Sequence, residues 1–115
     1  MERVERCLTQ IWAVALQTAA RNVPCVLDLG FSQTKSRAKF ADFAQAAGLS
    51  VQLHFIDVPA EERWQRVATR NTRKGETYLL GFHITREMFD FVEGLWEPPT
   101  HAEMLAYDGV RTSGI

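Results

Sequence analysis

Apolar residues recur at three- and four-residue steps from about Glu2 to Arg21: Val4, Leu8, Ile11, Trp12, Ala15, Leu16 and Ala19. That period lays one apolar stripe along a helix, with Glu2, Arg3, Glu5 and Arg6 on the polar side of its first turns. The helix is expected to stop near Asn22, ahead of Val23-Pro24, because the chain before a proline avoids the helical region. The pattern then changes to a short apolar run. Val26, Leu27 and Leu29 read as a parallel strand buried on both faces. A helix follows from about Lys35 to Ala47, with Ser32 or Thr34 as its cap. Phe40, Phe43, Ala44 and Ala47 form its apolar face, and Gly48 closes it. Val51 to Val58 is a second strand, alternating and then apolar, ended by Pro59. Glu61 to Asn71 is helical, with Trp64, Val67 and Ala68 inward. Asn71 to Gly75 is a polar, basic loop, and Tyr78 to Ile84 fits neither element. Thr85 caps a helix through Trp96, with Met88, Phe89, Val92 and Trp96 on one face and Glu87 and Asp90 suiting its early turns. Pro98-Pro99 breaks the chain. Thr100 to Tyr107 is a short helix or none, and Asp108 to Ile115 is expected to fray.

Helices and strands that alternate in this way imply an α/β layer with a parallel sheet. Only two strands are convincing, and two make a poor sheet. The 115 residues predict a single domain, divided at 1–59, 60–97 and a C-terminal tail at 98–115. A hydrophobic fraction of 46% supplies a core, and at this length the margin of stability is thin. The net charge of −1 excludes a broad electrostatic footprint for duplex nucleic acid or an anionic membrane. No run approaches the ~18 apolar residues of a membrane span, and no signal peptide is expected from the charged first residues. Cys7 and Cys25 lie far apart, without metal or redox spacing, and read as small buried side chains. Two cysteines alone fit a reducing compartment, so a cytoplasmic location is expected.

Three groups of residues carry candidate chemistry. Asp28 ends the first apolar run, where an ionised carboxylate needs a partner. At the carboxyl end of a parallel strand that partner is a ligand, a metal ion or a phosphate; the plainer alternative is a cap on the following turn. The second group is basic: Arg63, Arg66, Arg70, Arg73 and Lys74 crowd one helix and the loop after it. Arg66 and Arg70 share a helical face, with Arg63 a turn earlier, and guanidinium groups hold phosphate through paired hydrogen bonds. A solvated face paired with Glu61, Glu62 and Asp57 accounts for the same spacing. The third group follows Asp28: Ser32, Thr34, Lys35, Ser36, Arg37 and Lys39. There, Lys35 and Arg37 at a helix N-terminus are placed to reach a substrate, or form an ordinary solvated first turn. His54, His83 and His101 lack metal-ligand spacing, and nothing supports a Ser-His-Asp or Cys-His nucleophile.

Taken together these blocks look familiar. The run Val26-Leu27-Asp28-Leu29-Gly30-Phe31 resembles the second-motif strand of P-loop small-molecule kinases. The block from Ser36-Arg37 to Gly48 and the strand Val51-Gln52-Leu53-His54-Phe55-Ile56-Asp57-Val58-Pro59 fit the same scheme. So does Arg63-Trp64-Gln65-Arg66-Val67-Ala68-Thr69-Arg70-Asn71. The order and spacing are similar to the zeta-toxin and chloramphenicol-phosphotransferase-like group of ATP-binding proteins. Met88-Phe89-Asp90-Phe91-Val92-Glu93 and Trp96-Glu97-Pro98-Pro99 look like a bacterial subset of that group. The resemblance covers most of residues 2–104. It implies a three-layer α/β sandwich with a parallel sheet, a helical lid over 60–97, and ATP with magnesium as cofactors. It implies in-line phosphoryl transfer to a small hydroxylated molecule. Asp28 would help with magnesium or activate the acceptor hydroxyl. Arg66 and Arg70 would act on the transferring phosphoryl group. Arg73 and Lys74 would sit in the lid loop against the cofactor.

One departure is large. No G-x-x-x-x-G-K-[ST] sequence occurs in these 115 residues, so the backbone cradle and the lysine for the nucleotide phosphates are missing. The chain is expected to represent such a kinase without its first strand and phosphate loop, not competent alone. In these kinases the phosphate-loop strand lies between the two strands read here. Those strands would then have to pair directly, swap with another copy, or leave backbone groups unpaired at about 1–3 kcal/mol each. Exposed strand edges would favour self-association. The alternative is a non-catalytic α/β module that binds a partner chain or a phosphorylated ligand through the Arg63–Lys74 patch.

Overall fold

The computed structural model describes residues 2–73 and 83–114. Its elements in chain order are α1 (Glu2–Ala19), α2 (Thr34–Ala46), β1 (His54–Asp57), α3 (Ala60–Thr72), α4 (Arg86–Leu95), α5 (His101–Ala106) and β2 (Val110–Ser113). The expected α/β character is present, with one small parallel sheet. The chain divides into two compact units, Met1–Val51 and Gln52–Ile115.

In the first unit, α1 and α2 meet through aromatic rings. Trp12 lies edge-on to Phe40, with ring centres 5.8 Å apart, and 5.9 Å from Phe43. Phe31, in the connection, adds an edge contact to Phe40 at 5.3 Å. Ala15, Ala41 and Ala44 are buried. Both helices end in the geometry their sequences favour. Asn22 takes a left-handed φ of 62° after α1, and the Val23 N–H returns to the Thr18 carbonyl. Gly48, at φ 73°, follows α2; its N–H and that of Leu49 donate to Gln45 and Ala44 at 3.0 and 2.9 Å. Gly and Asn tolerate this conformation, so the orphan carbonyls are satisfied without strain. The N-terminus of α2 differs from expectation. Gln33 is the cap residue and its side chain makes no capping bond, while the Thr34 hydroxyl accepts from Arg37 instead.

The strand expected over Val26, Leu27 and Leu29 is not formed. Those residues belong to no sheet, and Val26 is 93% exposed. A strand is defined by its ladder, and β1 finds a different partner. It pairs in parallel with β2, His54 opposite Val110 through Asp57 opposite Ser113. The direct pairing anticipated between the two strands is absent, because β1 pairs with β2. Val26 and Asp28 are exposed and Leu27 and Leu29 half-buried, so the run is not the doubly buried strand expected. The last residues do not fray as expected, because they supply β2. Cys7 and Cys25 are both exposed free thiols, not buried ones.

In the second unit, Asp108 in the turn after α5 has φ 48°, and the Gly109 N–H donates to the Met104 carbonyl at 2.7 Å. This turn aims β2 along β1. Bonds from Leu53 to the Tyr107 carbonyl and from Val110 to the Leu53 carbonyl extend the pairing. Phe55 of β1 packs on Trp96 at 6.0 Å, and Trp64 of α3 packs on Phe89 of α4 at 5.5 Å. Val58 is the buried aliphatic residue at the end of β1. The loop residue Lys74 and the ambiguous stretch 78–82 lie outside the described residues.

Candidate functional site

The basic helix is α3, and its residues fall on two faces. Trp64, Val67 and Ala68 turn inward, as the spacing required, whereas Arg66 and Arg70 are exposed. Arg63, Arg66 and Arg70, three and four positions apart, form one flank. Their environments differ sharply. Arg63 donates through Nη1 and Nη2 to the two carboxylate oxygens of Glu93 at 2.5 and 2.6 Å. Its Nε donates to the Val58 carbonyl at 2.9 Å, and its guanidinium lies 6.0 Å from the centre of the Phe89 ring. This fork ties α3 to α4 and to the end of β1. Arg66 reaches Glu62 one turn back at 3.3 Å, an exposed contact of little energetic weight. Arg70 makes no ion pair among the described residues. Arg73 is exposed directly after α3.

The fork alters both of its partners. The hydrogen bond from Arg63, and then its charge, hold the Glu93 carboxyl below the ordinary glutamate value against the opposing effect of burial. The hydrogen bond to Glu93 likewise raises Arg63, burial opposes, and the charges of Glu93 and Asp57 add to the rise. A second tie lies nearer the N-terminus of α4. Arg86 donates to both oxygens of Glu61 at 3.2–3.3 Å and to Asp90 at 3.1 Å. Its guanidinium sits 5.3 Å from the Trp64 ring centre and 5.6 Å from that of Phe89. Desolvation works most strongly on Arg86 and lowers it, but Glu61 and Asp90 together raise it above its ordinary value. A third tie is Asn71, whose amide donates to the Ile84 carbonyl at 2.7 Å and accepts from the Ile84 N–H at 3.1 Å. An open cleft of about 340 Å³ lies beside these ties, lined by Trp64, Ala68, Asn71, Thr72, His83, Thr85 and Arg86.

Asp57 ends β1 and accepts from the Nε of Arg111 in β2 at 2.7 Å. Asp57 stands at the carboxyl end of β1, where α/β sheets present their ligand sites, and Arg111 reaches it from the second position of β2, opposite Phe55.

The residues near Asp28 occupy the other unit. Asp28 is exposed in the connection between α1 and α2. Solvent therefore meets its charge, and the burial argument that singled it out does not apply. Lys35 is exposed on the first turn of α2. Arg37 is only 5% exposed; it donates to the Phe31 carbonyl at 2.7 Å and to the Thr34 hydroxyl at 3.2 Å, bracing the connection that carries Asp28. Lys39 lies over the Phe43 ring at 5.8 Å. Among the described residues no three His, Cys, Asp or Glu side chains converge as a metal site, and no helix is long and apolar enough to cross a membrane.

Sequence reasoning located the basic row but missed what divides it. Glu93 is 30 positions from Arg63, and no local spacing announces such a pair. Asn71 and Ile84 are likewise joined only in space.

A family model described as AAA domain matches residues 1–94. No curated protein and no solved structure matches the chain.

Proposed function

Because the chain belongs to the AAA domain family, which is P-loop NTPase-like and kinase-like in character, we propose that it is part of an ATP-dependent phosphotransferase acting on a small hydroxylated molecule. The observation that carries this reading is the exposed pair Arg66 and Arg70 on α3, a helix held along its length by Arg63, Arg86 and Asn71. Two guanidiniums one turn apart on a fixed helix meet the three equatorial oxygens of a transferring phosphoryl group. Their mutual repulsion is relieved when an anion arrives. Arg73, directly after the same helix, serves the nucleotide phosphates in this reading, as does Lys74 by the resemblance. Asp28 serves as the carboxylate toward the acceptor hydroxyl or magnesium, while Lys35, and Arg37 through the connection it braces, serve the acceptor side. One exposed carboxylate suits magnesium, which takes one or two protein carboxylates and completes its shell with phosphate oxygens and water. When bound, the ion neutralises charge on those oxygens. Charge neutralisation and positioning are the principal demands of this chemistry, and the arginines answer the first directly.

These 115 residues contain no G-x-x-x-x-G-K-[ST] cradle, so the phosphate loop and its strand are assigned to residues outside them. β1 is paired along one edge in the described structure, and that arrangement supports a further strand on the other. The resemblance to zeta-toxin-like kinases supports the same assignment, with a small-molecule acceptor and a cytoplasmic setting.

Calorimetry of the chain with magnesium and ATP tests the reading. Binding no tighter than the millimolar range is expected, because the cradle is missing. Micromolar, magnesium-dependent binding would overturn the assignment of the cradle to other residues. In a chain extended by an in-frame glycine-rich loop, Asp28→Asn is expected to lower turnover strongly and leave the fold intact. Unchanged turnover would remove Asp28 from the site.

A further inference from the structure

The ties from α3 to α4 are spaced unevenly. Those of Glu61 to Arg86, Arg63 to Glu93 and Trp64 to Phe89 all leave α3 from its first turns. At the opposite end stands Asn71, 13 positions before its partner Ile84. Its Nδ2 donates to the Ile84 carbonyl at 2.7 Å, and its Oδ1 accepts from the Ile84 N–H at 3.1 Å. Both residues are half-buried. A carboxamide offers a donor and an acceptor side by side, so it closes on both backbone groups of one residue as a neighbouring strand would. An ionised aspartate has no donor to offer the carbonyl. The place of this clasp gives it weight. The last turn of a helix leaves its carbonyls without intrahelical partners, and helix ends fray. In α3 that turn contains Arg70. The Arg70 carbonyl accepts from the Arg73 N–H at 3.1 Å, and the Thr72 hydroxyl donates to the Thr69 carbonyl at 2.6 Å. Those two bonds stay within the end of the helix, whereas the Asn71 bonds reach out of it. Neighbouring residues on a helix point about 100° apart, and Arg70 is exposed where Asn71 is half-buried.

We propose that Asn71 is a positioning residue: by holding both backbone groups of Ile84 it fixes the last turn of α3, and with it the Arg70 guanidinium that grips a phosphate-bearing ligand. This inference rests on the phosphoryl-binding reading given above. Asn71 acts through the backbone of its neighbour and does not itself touch the ligand. The turn that carries Arg70 is set before any ligand arrives. Preorganisation of this kind removes the ordering that binding would otherwise require. The amide is specific to the task. Alanine removes both bonds, and glutamine displaces the amide by one methylene.

The test uses the intact chain, inorganic pyrophosphate as probe, and the Arg70 Nε–H signal in nitrogen-15 nuclear magnetic resonance spectra. In the wild type this signal is expected to move on titration. Asn71→Ala keeps the net charge and is expected to weaken the binding read at Arg70 about three- to tenfold, the penalty of ordering a long side chain and the turn beneath it. Asn71→Gln is expected to weaken it in the same direction, and it carries the test if the alanine variant loses helix content by circular dichroism. The control is Thr100→Ala, which removes the α5 cap, where the Thr100 hydroxyl accepts from the Glu103 N–H at 3.1 Å. That variant is expected to lower the urea midpoint and leave pyrophosphate binding at Arg70 unchanged. If the Asn71 variants bind like the wild type, or if Thr100→Ala weakens binding as much as they do, the positioning role is overturned while the phosphate grip stands. If the Arg70 signal does not respond in the wild type, the grip itself is overturned.

Discussion

Replacing Gly109 by alanine tests whether the turn that launches β2 is as tight as it is drawn. A Cβ at this position would stand 2.6 and 2.7 Å from the Cε and Sδ atoms of Met104 and 3.0 Å from its Cα. The thioether end can swing aside, because methionine is flexible. The Cα cannot, because the Gly109 N–H holds the Met104 carbonyl at 2.7 Å. The turn must therefore open by a few tenths of an ångström, and Met104 must leave its rotamer. Overpacking of this kind costs about 1–3 kcal/mol. The reduced freedom of the unfolded chain returns about 0.4–1 kcal/mol. The net expectation is a loss of about 1–2 kcal/mol. Gly94 provides the internal control, since it lies in α4 and a Cβ there meets nothing within 4 Å. Gly94→Ala is expected to stabilise by about 0.5–1 kcal/mol through helix propensity. Urea unfolding followed by tryptophan fluorescence measures both, with Trp64 and Trp96 reporting from the same unit. The midpoint should fall for Gly109→Ala and rise for Gly94→Ala. A midpoint for Gly109→Ala equal to or above that of the wild type refutes the close approach.

The Arg63–Glu93 fork carries an acid dependence. Glu93 is depressed in the folded chain, so its stabilisation is present above the ordinary glutamate value of about 4.3 and is lost as pH falls through the folded value. The urea midpoint should decline below that range more steeply in the wild type than in Glu93→Gln, and parallel profiles would contradict this. At the start of α4 the Thr85 hydroxyl accepts from the Met88 N–H at 3.1 Å. Thr85→Ala should lower stability by about 1 kcal/mol and Thr85→Ser should not; equal melting temperatures for the two variants would dismiss the cap.

The helices were legible in the sequence because their information is local. The 3.6-residue stripe of α1, the Thr85 cap of α4 and the glycine after α2 each act within a few positions. The sheet was less so. The run Val26-Leu27-Asp28-Leu29 has strand composition, but a strand needs a ladder, and composition does not name the partner. The residues that do pair with β1, Val110 to Ser113, sit among Gly, Ser and Thr and look like a loose end. The candidate site divides in the same way. Arg66 and Arg70 follow from helical spacing alone. The fork on Arg63 depends on a carboxylate of the next helix, 30 positions on. Asp28 was chosen on an assumption of burial, and its exposed position leaves the resemblance as its support.

The parallel pairing of β1 and β2 has a kinetic consequence. Gln52 and Asp108, hydrogen-bonded beside the sheet, are 56 positions apart. Every backbone contact of the ladder must close a loop of that order before it returns any enthalpy, whereas α1 with α2 closes over a short connection. The first unit should therefore collapse early during refolding. The second should wait on a single rare encounter, with its α3–α4 hairpin as the natural nucleus.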